Sequence, residues 1–81
     1  MMIVDLIDGE DFRQRLTSLG VRIPEEACPE TCARLAAGCH RVKGVEGLEP
    51  AIRDLMQHTD VMLPSVREAI ERHLLPAFNG A

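Results

Sequence analysis

The stretch Cys28-Pro29-Glu30-Thr31-Cys32-Ala33-Arg34-Leu35-Ala36-Ala37-Gly38-Cys39-His40-Arg41-Val42-Lys43 decides how this chain is read, and it holds all three cysteines of the sequence. Pro29 suits the first position of a helix, where the missing N–H would have no partner anyway. Gly44 suits a helix end, and His40, Arg41 and Lys43 give the last turn the sign that a helix C-terminus favours. At about 100° per residue, Cys28, Cys32 and Cys39 project within roughly 40° of one another. Leu35 and Val42 extend them into one apolar stripe. Free cysteine behaves as a small buried hydrophobe, so this stripe is expected to face the core.

The same cysteines are the only candidates for site chemistry. Cys28 and Cys32 stand about 6 Å apart along a helix axis and Cys39 about 16 Å from Cys28. Zinc–sulfur bonds of about 2.3 Å do not let one ion span all three. A metal would have to use Cys28 and Cys32 with ligands from another helix. His58 and His73, the histidines beyond this stretch, sit in no metal-ligand spacing, so the core reading is preferred and no cofactor is expected. At a helix cap, Cys28 would have a lowered thiol pKa, which makes a thiol-dependent metal or redox carrier the alternative function. His40 projects about 100° from Cys39 and forms no couple with it. The haem pattern C-x-x-C-H is absent because position 36 is Ala. His73 has no Ser or Asp in a spacing that supports nucleophilic chemistry, so no catalytic residue is assigned and the chain is read as a non-enzyme.

Outward from this helix, punctuation marks three more. Asp8 can cap a stretch in which Phe12, Leu16 and Leu19 recur at helical spacing, and Gly20 ends it. Val21-Arg22-Ile23-Pro24 reads as extended, since a residue before proline is pushed out of the helical region. After Gly44-Val45-Glu46-Gly47, Pro50 suits the first turn of a helix with Leu48, Ile52, Leu55 and Met56 on one face. Ser65 and Glu68 make a capping-box pattern ahead of Val66, Ile70, His73 and Leu74, with Pro76 as the end. Arg67/Glu71 and Glu68/Arg72 are i, i+4 pairs on its outer face. Phe78 is placed as a final plug. The expected fold is all-α, a small bundle of four short helices near 9–19, 29–43, 49–58 and 65–75, in one domain over residues 1–81. Met1–Ile7 reads as a backward extension of the first helix. The alternative is a strand, which would pair with a second polypeptide.

Composition narrows the function classes. The 81 residues carry nine Lys and Arg against thirteen Asp and Glu, a formal net charge of −4. Nucleic-acid binding needs a clustered excess of basic residues, and two Phe with no Trp or Tyr give no base-stacking platform. No run reaches the roughly 18 apolar residues of a membrane span. The apolar opening is too short, and too soon followed by Asp5 and Asp8, for a signal peptide. An odd number of cysteines argues against an oxidised framework and places the chain in a reducing cytoplasm.

A chain this small buries about 60–65% of its unfolded surface, so its stability margin is thin and a partner would help it. Two apolar surpluses are expected at an interface: Met1, Met2, Ile3, Val4, Leu6 and Ile7, and then Val61, Met62 and Leu63. The leading function is a small non-catalytic helical adaptor or accessory subunit. Its partner would be a larger enzyme, another protein or a second copy of itself. A small acidic inhibitor of a nucleic-acid-handling protein is a further alternative. Leu19-Gly20-Val21-Arg22-Ile23-Pro24-Glu25-Glu26, with the helix that follows through Leu35, resembles the turn and helix of small accessory subunits that pair with amidase-type hydrolases. The resemblance covers about a third of the chain and implies a partner-binding role. The acidic, proline-containing tail of those subunits is missing here.

Overall fold

The computed structural model describes residues 7–78, and among them the fold is all-α. Helix α1 spans Gly9–Ser18. Asp8 caps it as expected, its Oδ1 accepting the N–H of Asp11 at 3.0 Å. At the other end Gly20 adopts φ 100°, a left-handed conformation that favours glycine. The N–H of Gly20 reaches the Thr17 carbonyl and that of Val21 reaches the Leu16 carbonyl. This paired closure satisfies the last carbonyls and turns Val21 into the core.

Helix α2 spans Pro29–Lys43 and stops at Gly44, φ 76°. Helix α3, Leu48–Met56, buries Leu48, Ile52 and Leu55 at i, i+4 and i+7. A 3-10 turn, Thr59–Val61, leads to α4, Pro64–Ala69. The chain continues without a break through a π-helical turn, Ile70–Leu74, into a last α-helical turn, α5, Leu75–Phe78. α2 lies along the rod made by α4 and the π turn, and α1 packs against α2 and α4. The core is aliphatic apart from Phe12, with no polar or charged residue buried among the described ones.

Three local readings are corrected. Pro76 does not end the last helix. A helical proline lacks an N–H and its ring collides with the carbonyl four residues back, here Arg72. The π turn widens the rod just before that point, with the Leu75 N–H bonded to the Ile70 carbonyl. The Ser65/Glu68 capping box does not form, because the helix already begins at Pro64 with Leu63 as its cap residue.

The third concerns the N-terminus. Ile7 does not extend α1; it forms an isolated parallel bridge with Met62. Its N–H donates to the Val61 carbonyl at 2.7 Å, and its own carbonyl accepts from the Leu63 N–H at 3.0 Å. An extended residue needs a backbone partner, and this one finds it within its own chain. Ile7 and Met62, expected at an interface, are thereby buried in the core, with Val61 and Leu63 partly buried against it. Met1, Met2, Ile3, Val4 and Leu6 lie outside the described residues.

Candidate functional site on the outer face of α2

α2 is rotated relative to the expected orientation. Of the stripe Cys28, Cys32, Leu35, Cys39 and Val42, only Cys32 is fully buried. Cys28 is exposed and Cys39 half-buried. Leu35 is 37% exposed and Val42 86% exposed. The side that packs on the rod is instead Cys32, Ala33, Ala36 and Ala37, its centre turned about 100° around the helix from the stripe. The reason is steric. The distance between packed helices follows the side chains at the contact, and alanines let α2 lie close to Val66, Ala69, Ile70 and Leu74. Leucine and valine in those places would hold the helices apart.

His40 completes the inner pattern 33, 36, 37, 40. It is half-buried, and not simply solvated as a last-turn residue would be. Its Nδ1 accepts the Val45 N–H at 3.2 Å, tying the loop after α2 to the helix. Its ring meets Phe78 edge to face, with centroids 5.4 Å apart. That contact seats the end of the rod on the end of α2.

The outer face divides along its length. On one flank, Leu35, Cys39 and Val42 line a shallow apolar furrow with Arg34, Gly38 and Lys43. On the other, Arg34, Arg41, Arg72 and His73 line a second recess, with Ala37 and Gly38 as its floor. Arg72 and His73 belong to the π turn, a feature frequent at functional sites. Glu30 Oε1 lies 3.6 Å from His73 Nε2, which is buried and has no hydrogen-bond partner. The expected Arg67–Glu71 pair forms at 3.4 Å. No Glu68–Arg72 pair forms, and Arg34, Arg41 and Arg72 make no ion pair among the described residues.

Gly38 separates the two flanks, opposite the buried face. An interior glycine costs a helix about 0.5–1 kcal/mol relative to alanine. A Cβ built on Gly38 would meet nothing within 4 Å among the described residues, so no contact with them requires glycine there.

The thiols differ sharply from one another. Cys28 precedes α2, its sulfur 3.3 Å from the Thr31 hydroxyl. That hydroxyl, with the N–H groups of the first turn, holds its thiol below the ordinary range. Burial pushes the Cys32 thiol up, and its S–H points to the Ala27 carbonyl at 3.7 Å. Among the described residues, Cys28 and Cys32 belong to no cluster of three or more His, Cys, Asp or Glu side chains that could hold a metal ion. Iodoacetamide at neutral pH is expected to modify Cys28 first and Cys32 last. As pH falls, Cys28 should lose its reactivity later than Cys32, because its thiol is held lower and that of Cys32 is pushed up. Peptide mapping by mass spectrometry reads the order, and equal rates at both positions would contradict it.

Arg34, Gly38, Arg41 and Arg72 were not singled out by the sequence as site residues. The signal that would have found them is the alanine-bearing pattern 33, 36, 37, 40, which turns positions 34, 38 and 41 outward. No helix among the described residues is long and apolar enough to cross a membrane. Comparison with protein-family models, with curated proteins and with solved structures finds no match to this chain, so the likeness of residues 19–35 to amidase accessory subunits stands on those residues alone.

Proposed function

We propose that the protein is a small, non-catalytic helical adaptor or accessory subunit that binds another protein through the outer face of α2. The observation that carries this reading is the outward placement of Leu35, Cys39 and Val42. Single exposed apolar residues are ordinary, but exposed Leu35 and Val42 with half-buried Cys39 between them, at i, i+4 and i+7 on one helix, form the anchor spacing of helix-mediated recognition. Of the apolar surpluses read from the sequence, Ile7 and Met62 are consumed by the core, so the reading rests on α2. The two thiols at the start of α2 stand apart in environment, one exposed and one buried.

A photo-crosslinking amino acid placed at position 42 of the full chain tests the reading in the source cell. A discrete covalent adduct with one protein is expected at position 42, absent when the probe sits at exposed position 22, and lost when Leu35→Asp is added. Adducts at both positions, or none at 42, would overturn it.

A further inference from the structure

We infer that the partner presents a helix that crosses α2 closely over Gly38 and carries carboxylates along one flank. This rests on α2 being the docking surface and adds the chemistry of what docks. Three observations converge on it. Glycine at position 38 weakens α2 without serving any contact among the described residues. A missing side chain on an exposed face permits close approach of another backbone, and small residues at helix crossings serve that purpose. Apolar side chains of the incoming segment would then enter the furrow beside Leu35, Cys39 and Val42.

The charge on the other flank selects the partner. The chain is acidic overall, with a formal net charge of −4. Yet Arg34, Arg41 and Arg72 line one recess and have no carboxylate partner among the described residues. Guanidinium groups accept carboxylates in paired, planar hydrogen bonds. Glu30, which lies against His73, and Glu68, which lines a neighbouring recess with Arg72, are the acidic groups beside this flank, and neither forms an ion pair with its arginines among the described residues. A second copy of this chain is disfavoured, because antiparallel pairing about Gly38 would set Arg34 of one copy near Arg41 of the other. Strand addition is ruled out because α2 offers no free backbone edge, and the open space over Gly38 beside the Leu35–Cys39–Val42 spacing suits a crossing helix.

Two synthetic amphipathic helices of about 18 residues serve as probes. Both carry leucines on one stripe and alanine at the crossing point, with glutamates on the flank of one and lysines on the other. Fluorescence anisotropy with the full chain is expected to show the glutamate helix binding about tenfold or more tighter than the lysine helix, the gap narrowing with salt. Gly38→Leu should weaken the glutamate helix about tenfold without lowering the melting temperature. Arg34→Glu with Arg72→Glu should reverse the preference. Equal binding of both helices, unchanged by the arginine variants but lost with Val42→Asp, would overturn the acidic partner and leave α2 docking intact. Binding that survives Val42→Asp would overturn the docking reading itself. Binding of neither helix, or a dimer in sedimentation that Val42→Asp dissociates, would overturn the inference.

Discussion

Ala36→Asp is expected to leave the chain unfolded at room temperature. Ala36 is completely buried where α2 meets the rod, in a core that holds no polar or charged residue among those described. A carboxylate there loses its water and gains no cation or donor. The effective penalty for burying such an ion is several kcal/mol even after relaxation. At about 0.05–0.15 kcal/mol per residue, the whole stability of a domain this size is roughly 4–12 kcal/mol. The penalty is therefore comparable to the margin. Far-UV circular dichroism should show loss of helix. Ala36→Leu should be milder, about 1–3 kcal/mol, because it forces the helices apart without introducing charge. A folded Ala36→Asp protein with wild-type melting would mean that α2 does not press this face against the rod.

Phe12→Ala carries the second large effect, about 3–5 kcal/mol. Phe12 is the one fully buried aromatic side chain, and with Leu16 it is what α1 contributes to the core. Truncation removes the transfer energy of a ring and leaves a cavity that short helices fill incompletely. Urea denaturation should show a midpoint shift of that size with an unchanged slope. A loss below about 1 kcal/mol would show that α1 is dispensable to the core, against its contacts with α2 and α4.

Much of this fold is legible in the sequence because its punctuation is chemical. Asp8, Gly20, Pro29 and Gly44 each do at a helix end what their backbone and side-chain chemistry dictates. α3 announces itself through large apolar residues at regular spacing, and those residues are buried. α2 misleads for a physical reason. Hydrophobicity ranks leucine, valine and cysteine above alanine, but a close helix contact selects for size, and size favours alanine. The stripe of greatest hydrophobicity and the stripe of closest packing then lie on different sides of one helix, and the candidate site is the difference between them. Pro76 misleads in another way. A π turn absorbs a proline that would otherwise end the helix, and a widened turn leaves no mark in residue periodicity. Ile7 pairs with Met62, a partner far along the chain that local pattern does not reveal.

The outward orientation of α2 is tested most directly by the unfolding free energy of the double variant Leu35→Asp with Val42→Asp. Two carboxylates on an exposed face remain hydrated, and surface substitutions usually stay within about 0.5 kcal/mol each. The variant should therefore fold, with a urea midpoint close to that of the unmodified chain. A variant that fails to fold, or that loses as much stability as Ala36→Asp, would place the Leu35–Cys39–Val42 stripe in the core and contradict the docking surface built upon it.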